Sequence, residues 1–280
     1  MIKFYKYNLK ALRKFNNTIQ QFLVDISNNF KYRTLTVNSN KAFYCETDLG
    51  KLIIPSHKFN DIIYVNIKEN RIYDKFIADL VVSYYLQSTT RGLIVDVGAN
   101  IGQMSIYITK SIIDLKHDVT TMPFLISIEA EPFMHKLLSM NIENLGLLGT
   151  IEVHDKVVWS DKTQVNFPVP DFKNFSSWGS YGVAPKNIRN SRILETATLD
   201  SIIDGRKVSV IKLDIQGSEL HALKGSLATI NQSKPIIIFE FEHELSRNLG
   251  VNFKDYLDLI ETMNYKIIDM KFPNFVIGPK

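Results

Sequence analysis

The chain has 280 residues, of which 45% are hydrophobic and 22% charged, and it contains one cysteine. This composition is typical of a globular protein and argues against extensive disorder, and a single cysteine excludes an internal disulfide and a cysteine metal cluster. No run reaches the roughly 20 apolar residues of a membrane span, and the first residues lack the apolar core of a secretory signal. We therefore expect a cytoplasmic protein without a transmembrane segment.

The basic residues are concentrated at the start of the chain. Residues 1–33 contain seven Lys or Arg and one Asp, a net charge of +6, which leaves −2 for the rest because the total is +4. Such a segment is either a solvated helix face or a surface for phosphates, anionic membranes or nucleic acid, and we favour the solvated face and expect no nucleic-acid partner. Its apolar residues recur at helical spacing, which predicts a helix buried against the rest of the chain or against a second subunit in a homo-oligomer.

A β-rich stretch and a second helix follow. Residues 34–55 form short β-type runs broken by turn residues, and residues 69–86 carry an apolar face at helical spacing. We divide the chain into an N-terminal helix with a small β-rich extension, residues 1–67, and a main domain, residues 68–280.

From residue 93 onward, strand and helix patterns alternate, and the tail reads as a hairpin. Repeated βα units predict a parallel sheet with helices on both faces. The predicted fold is α/β, with a mostly parallel sheet closed by a C-terminal antiparallel hairpin. The predicted strands are 93–97, 124–128, 151–158, 208–213, 236–239, 265–270 and 275–277.

The first of these strands ends in a glycine turn, with Asp96, Gly98, Asn100 and Gly102 at its key positions. A buried strand, a glycine turn and a helix start form the ligand-binding corner of an open α/β sheet. The turn is expected to present free backbone N–H groups, which suit a carboxylate as well as a phosphate. A dinucleotide fingerprint needs glycine at position 100, where this chain has asparagine, so a pyrophosphate fits poorly.

Carboxylates follow the next two strands. Glu129 can accept hydrogen bonds from both hydroxyls of a ribose, and we favour it over Glu131, which precedes Pro132 and can serve as the N-terminal charge of a helix. After the third strand, Asp155 and Asp161 are both candidates for ligand binding, and the sequence does not choose between them.

The fourth and fifth strands also end in polar residues. Asp214 and Gln216 follow the fourth strand, and Glu240, Glu242 and His243 follow the fifth, where the two-residue period sends Glu240 and Glu242 to the same face. Clustered carboxylates at a crevice raise one another's pKa, so the group can supply a base or a substrate clamp. Asp214 as a helix cap is the alternative.

A long insertion spans residues 167–191 and contains Trp178 and Tyr181. Loops of this length are often binding segments, and flat aromatic rings with polar edges suit stacking on a sugar. Burial of these rings in the core is the alternative.

Two segments resemble the FkbM family of class I S-adenosylmethionine (SAM) methyltransferases. Residues 96–102 resemble motif I in its FkbM form, and residues 211–225 resemble the signature Asp-Val-Glu-Gly-x-Glu followed by Leu-Lys-Gly, with Thr-Leu-Asp at 198–200 before it. The resemblance covers most of residues 90–245. Gln216 departs from it, because the family has glutamate there and an amide cannot take a proton.

The resemblance implies a class I methyltransferase with a Rossmann-like sheet and SAM as cofactor. The implied cofactor-binding residues are Asp96, Gly98, Ala99, Asn100 and Gly102 for the methionine part, Glu129 for the ribose and Asp155 for the adenine. The expected catalytic base is Asp214, assisted by Glu240 or His243, and the expected substrate-side residues are Gln216, Trp178, Tyr181 and Lys212. No metal site is expected.

The implied reaction is O-methylation of a sugar or glycan hydroxyl in surface polysaccharide or natural-product biosynthesis. The basic N-terminal segment favours a nucleotide-linked or phosphorylated acceptor. The alternatives are a nicotinamide-dependent oxidoreductase, which the missing second glycine disfavours, and a non-catalytic cofactor-binding protein, for which Gln216 would mark the loss of activity.

Overall fold

The structure is a computed structural model that describes residues 34–38, 40–56, 61–89, 91–115, 122–172, 177–184 and 190–280. The predicted helix within residues 1–33, and with it the predicted homo-oligomer contact, lies outside the described residues. Within them, no helix is both long and apolar enough to cross a membrane.

The β-rich extension is a three-stranded antiparallel sheet. Its strands are Thr34–Val37 (β1), Asn40–Thr47 (β2) and Gly50–Pro55 (β3), paired in sequence order. Two helices follow, Ile62–Lys68 (α1) and Lys75–Gln87 (α2). The predicted β-rich extension is therefore confirmed, whereas the helix predicted over residues 69–86 begins only at Lys75 and is preceded by the separate helix α1.

The remaining elements alternate as the sequence predicts, with a short insertion of strands between the third strand of this series and the helix that follows it. In chain order they are β4 (Leu93–Val97), α3 (Gln103–Asp114), β5 (Leu125–Ile128), α4 (Pro132–Asn144), β6 (Ile151–His154), β7 (Val157–Val158), β8 (Gln164–Pro168), β9 (Ser191–Ala197), α5 (Leu199–Ile203), β10 (Val208–Leu213), α6 (Glu219–Lys224), α7 (Leu227–Ser233), β11 (Ile236–Glu240), α8 (His243–Asn248), α9 (Phe253–Thr262), β12 (Tyr265–Lys271) and β13 (Asn274–Pro279).

Seven strands form the central sheet, in the order β12-β13-β11-β10-β4-β5-β6. Strands β4, β5, β6, β10 and β11 are parallel, and β13 runs antiparallel to both β11 and β12. This is the strand order and the antiparallel closure of class I methyltransferases, so the predicted fold class is confirmed. Strands β7, β9 and β8 form a separate small sheet that flanks the insertion.

Both faces of the central sheet are buried. Successive strand residues point to opposite faces, so Ile94 packs into one core cluster with helices α2, α3 and α4, whereas Val95 packs into a second with α5, α6 and α9. Leu52 of the extension belongs to the first cluster. The extension thus shares its core with the main domain, and the boundary drawn at residue 67 stays a prediction.

One buried amide connects the extension to the ligand-binding corner. Asn141 on α4 accepts from the backbone N–H of Ile53 at 2.5 Å and donates to the carbonyls of Ile53 at 3.0 Å and Ile101 at 2.9 Å. Buried polar groups need such partners, and here they join three separate elements. The extension therefore helps to hold the turn after β4 in position.

Candidate active site

A cavity of about 290 Å³ lies at the carboxyl ends of β4, β5, β10 and β11. This is the edge where ligands bind in open α/β sheets. Gly98, Glu129, Asp214 and Glu240 line it from the four strand ends, and residues 177–181 and 183 of the insertion line it as well. The topology therefore brings together polar residues that are more than 100 positions apart in the chain.

The glycine turn after β4 approaches the end of β10 very closely. Gly98 has a φ of +82°, and a Cβ added to it would lie 1.9 Å from the carbonyl oxygen of Asp214. Only glycine combines this backbone angle with this lack of space. Asn100 also has a positive φ, 52°, and its side chain accepts from the N–H of Ile101 at 2.8 Å, which stabilises the left-handed conformation.

The prediction that this turn offers free backbone N–H groups is wrong. The N–H groups of Gly98 and Ala99 both donate to the carbonyl of Ile128, and that of Asn100 donates to Glu129 Oε2 at 2.8 Å. The N–H groups of Ile101 and Gly102 are also bonded within the turn. The backbone N–H groups of the turn are thus all hydrogen-bonded, because a tight turn next to a parallel strand directs its donors back onto the sheet.

Asp96 is buried below the cavity and does not line it. Its carboxylate accepts from the hydroxyl of Ser105 at 2.5 Å and forms an ion pair with Lys212 at 3.1 Å. Asp96 and Lys212 are direct neighbours on the parallel strands β4 and β10, so their side chains share one face of the sheet. Asp96 therefore contacts the cavity-lining residue Lys212 and does not line the cavity itself.

Lys212 is buried at the cavity floor, and its Nζ contacts four oxygens, one of which is the carbonyl of Val97 at 3.5 Å. Besides Asp96, it lies 3.7 Å from Asp214 and donates to the carbonyl of Gly98 at 3.2 Å. Burial alone would lower the pKa of Lys212, but the carboxylates of Asp96 and Asp214 raise it above its ordinary value. The lysine therefore stays charged and holds two strand ends together.

Gln216 bridges the carboxylates of Asp214 and Glu240. Its Nε2 donates to Asp214 Oδ1 at 3.0 Å and to Glu240 Oε2 at 3.2 Å. Burial and the nearby charge of Asp214 raise the pKa of Glu240 to about 8. The amide places two carboxyl groups side by side at the ends of β10 and β11, so near neutral pH the pair can hold one proton between them.

Glu129 and Glu131 have different environments. Glu129 lines the cavity, and its two oxygens accept from the backbone N–H groups of Asn100 and Glu131, both at 2.8 Å. Burial raises the pKa of Glu129 to about 7, although these two bonds oppose the shift. Glu131 is the N-cap of α4 and accepts from the N–H groups of Phe133 and Met134 at 2.7 and 2.9 Å.

Besides Asp96 and Gly102, two more residues selected from the sequence do not line the cavity. Asp155 is exposed and lies 3.5 Å from Lys156, and it is Lys156 that lines the cavity there. The side chain of His243 is 63% exposed and lies 3.4 Å from Glu244. Both follow a strand end, but the chain turns outward at these positions, which the strand pattern does not reveal. The alternative Asp161 is exposed as well.

The insertion is bound to the rest of the site by side-chain hydrogen bonds. Asp61 accepts from the N–H of Trp178 at 2.9 Å and from the hydroxyl of Ser177 at 3.1 Å, and Asn100 donates to the carbonyl of Trp178 at 2.5 Å. The Trp178 ring is 1% exposed and packs edge-on against Tyr64. This is the core burial that the sequence left open as the alternative to stacking. Tyr181 lines the cavity and is partly exposed.

The residues of the cavity wall that sequence reasoning missed include Tyr73 and Ser218. Tyr73 precedes α2, and Gln103 fixes it by accepting from its N–H at 3.1 Å. The nearby carboxylates and burial raise the pKa of Tyr73 to about 12, so it remains a donor. Glu242, which the acidic run after β11 places on the same face as Glu240, also lines the cavity, whereas nothing in the sequence marks Tyr73.

The charged side chains of the cavity favour a cationic ligand. Five carboxyl groups and two lysines line it among the described residues, and one of the lysines, Lys212, is already paired with aspartates. A pyrophosphate would meet these carboxyl groups, whereas a sulfonium or ammonium would be attracted by them. No group of three or more His, Cys, Asp or Glu within the described ranges could hold a metal ion.

These observations define the class: a methyltransferase-type α/β fold with an acidic cavity at its ligand-binding edge. The family model of the methyltransferase FkbM domain matches residues 96–267, more than half of the chain. The chain therefore belongs to the FkbM methyltransferase family, as the motifs predict. Comparison with curated proteins finds no match.

Solved structures with a similar fold are distant. The structure of methyltransferase FkbM from Methylobacillus flagellatus KT has 22% identity and a TM-score of 0.45, with coverage of 67% of this chain and 43% of that one. Magnesium protoporphyrin IX methyltransferase from Synechocystis PCC 6803 with bound SAM has 11% identity and a TM-score of 0.40, with coverage of 80% and 86%. This chain thus spans less than half the length of the Methylobacillus protein.

Proposed function

We propose that this protein transfers the methyl group of SAM to a hydroxyl of a sugar or glycan. The observation that carries the proposal is the meeting, in one cavity, of the glycine turn, Glu129 and the bridged carboxyl pair Asp214 and Glu240. Membership of the FkbM methyltransferase family supports the reaction class.

Glu129 supports SAM as the cofactor. Each oxygen of its carboxylate accepts one backbone N–H, which leaves further lone pairs for the two ribose hydroxyls. The acidic cavity favours a positively charged sulfonium over the pyrophosphate of a nicotinamide cofactor. When bound, SAM supplies the methyl carbon, which bonds to the acceptor oxygen as its bond to sulfur breaks and S-adenosylhomocysteine (SAH) forms.

The carboxyl pair supplies the base. Asp214 accepts the proton of the acceptor hydroxyl, and Gln216 holds Glu240 beside it through the hydrogen bonds that its Nε2 donates to both carboxyl groups. Gln216 orients both carboxyl groups but takes no proton itself. Because in-line methyl transfer depends chiefly on alignment, the walls that fix the acceptor contribute most of the rate.

The choice of a sugar rests on the family resemblance and on the chemistry of the walls. Carboxylates accept hydrogen bonds from sugar hydroxyls, and Tyr73 and Tyr181 add aromatic surface with a polar edge. A phosphorylated or nucleotide-linked acceptor is predicted from residues 1–33, which lie outside the described residues. A role in polysaccharide or natural-product synthesis, and a cytoplasmic location, remain part of the same proposal.

Calorimetric titration with SAM, SAH and NAD tests the cofactor. We expect micromolar binding of SAM and SAH, and we expect Glu129→Ala to weaken it by about 1 to 3 kcal/mol, the cost of leaving buried polar groups unpaired. Binding of NAD in place of SAM would favour an oxidoreductase. If SAM binds but no hydroxyl acceptor is ever methylated, the protein is a non-catalytic binder instead.

A further inference from the structure

The end of the cavity next to β10 and β11 differs chemically from the rest. We call it the acceptor end and define it by five lining residues: Asp214, Gln216, Ser218, Glu240 and Glu242. It lies next to the proposed base and across the sheet from the ribose-binding position on β5. The acceptor molecule would meet these side chains first.

This end carries excess negative charge. Three of its five residues have carboxyl groups, and the cation closest to them, Lys212, is already shared between Asp96 at 3.1 Å and Asp214 at 3.7 Å. The other lining lysine, Lys156, lies 3.5 Å from Asp155. It follows the edge strand β6, which is three strands away from β10 in the sheet. No arginine or histidine lines the cavity among the described residues.

Proton transfer does not use all of these carboxyl groups. One pair, Asp214 and Glu240, is bridged by Gln216 and suffices as the base. Glu242 is left over: it is the N-cap residue of α8, but its carboxylate does not cap the helix. A carboxylate that faces a cavity with no structural duty is available to a ligand of opposite charge.

Ser218 gives an independent indication that a polar ligand group binds here. Its side chain is 2% exposed, and its hydroxyl makes no hydrogen bond to any residue that the structure describes. A buried hydroxyl without a partner is costly, so a ligand that supplies one gains affinity. This observation does not depend on the charges of the neighbouring carboxyl groups.

We infer that the acceptor end binds a molecule with a protonated amine close to the hydroxyl that is methylated, as in an amino sugar, and that it excludes a phosphate at that place. The ammonium group would donate to Glu242 and to the Asp214–Glu240 pair, whereas a phosphate would be repelled by Glu242 and by the single negative charge of the pair. The inference rests on the proposed function, because it takes this end as the acceptor site.

Binding of three related sugars tests it directly. Protein saturated with SAH is titrated near neutral pH with D-glucosamine, D-glucose and D-glucose 6-phosphate, and calorimetry gives the three affinities. We expect glucosamine to bind about tenfold more tightly than glucose, and the phosphate to bind most weakly. Equal or tighter binding of the phosphate, or binding of none of the three, overturns the inference.

A matched pair of variants locates the effect. Glu242→Gln removes one charge without changing the shape of the side chain, and it should reduce the preference for glucosamine over glucose several-fold. Glu244→Gln removes a 69% exposed charge outside the cavity and should leave that preference unchanged. A preference that does not change in Glu242→Gln overturns the assignment.

The SAH titration in the same experiment separates the two claims. If SAH binds and the sugars show no preference for the amine, this inference fails and the methyltransferase proposal stands. If SAH does not bind, the proposed function fails and the inference fails with it. Unchanged SAH affinity in Glu242→Gln also shows that the variant is folded.

Discussion

Glu129 and Glu131 lie two positions apart but bind different groups. Glu131 satisfies two backbone donors at the start of α4, and Glu129 keeps acceptor capacity toward the cavity. We expect Glu131→Gln to lower the free energy of unfolding by about 0.5 to 2 kcal/mol while SAH affinity stays nearly unchanged. Glu129→Gln should weaken SAH binding, and it should also cost some stability because its NH2 group would face one of the two backbone N–H groups that the carboxylate now accepts from. Calorimetry and thermal unfolding of both variants check this, and a loss of SAH affinity only in Glu131→Gln would contradict it.

The pKa of Glu129 predicts how SAH binding depends on pH. Ribose hydroxyls donate to the ionised carboxylate, and the pKa of about 7 means that the carboxyl group is largely protonated below neutral pH. SAH affinity should therefore rise as the pH increases from about 6 to 8. Titrations across this range measure the trend, and Glu129→Gln should flatten it. A pH trend that persists in that variant would assign it to another group.

Glu240 illustrates a cost that the site imposes on stability. Its folded-state pKa of about 8 lies above the ordinary value of 4.5, so the stability available at low pH is lost as the pH rises between these two values. Glu240→Gln removes this charge, and we expect its Tm to exceed that of the native protein by about 2 to 4 °C at pH 8. Near pH 4.5 the two Tm values should agree, and a uniform shift at both pH values would point to packing instead.

At the scale of elements, the insertion depends on a close approach to the turn after β10. A Cβ on Gly182 would lie 2.7 Å from the carbonyl oxygen of Gln216, whereas one on Gly179 would lie 3.2 Å from the flexible end of Ile63. We expect Gly182→Ala to lower stability by about 1 to 3 kcal/mol and to weaken SAH binding, because the backbone must move.

Gly179→Ala is the matched control in the same loop. Its added methyl group meets only a side-chain end that can shift, so it should change stability and SAH affinity little. Thermal unfolding and calorimetry of the two variants make the comparison. Equal effects would show that this segment does not rely on contact with residues 215–217.

At the scale of the whole molecule, the buried pair Asp96–Lys212 joins β4 to β10 in the middle of the sheet. Lys212→Met leaves Asp96 as an uncompensated buried charge, and we expect a loss of about 3 to 5 kcal/mol in the free energy of unfolding. Denaturant unfolding of the native protein and the variant measures this loss.

The double variant Asp96→Asn with Lys212→Met tests the cause of this loss. It removes both charges, so it should recover much of the stability lost in the single variant. If the double variant is as unstable as Lys212→Met, the lost packing of the lysine stem, rather than the unpaired charge, accounts for the effect.

The sequence by itself determined the fold class and the family. Hydrophobic runs, helical periodicity and the two motifs are local properties, so the parallel sheet, the antiparallel tail, and Gly98, Glu129, Asp214 and Glu240 at strand ends followed from them. Local patterns carry this information because side-chain periodicity and glycine turns are set within a few residues.

Only the tertiary structure decided which of these residues meet. It showed that the N–H groups of the glycine turn are already bonded, that Asp96 acts below the cavity through Lys212, and that Asp155 and His243 face outward. It also added Tyr73 from a segment without any motif. These outcomes depend on contacts between residues tens to more than a hundred positions apart, and the geometry of such contacts is fixed by packing, which no local pattern encodes.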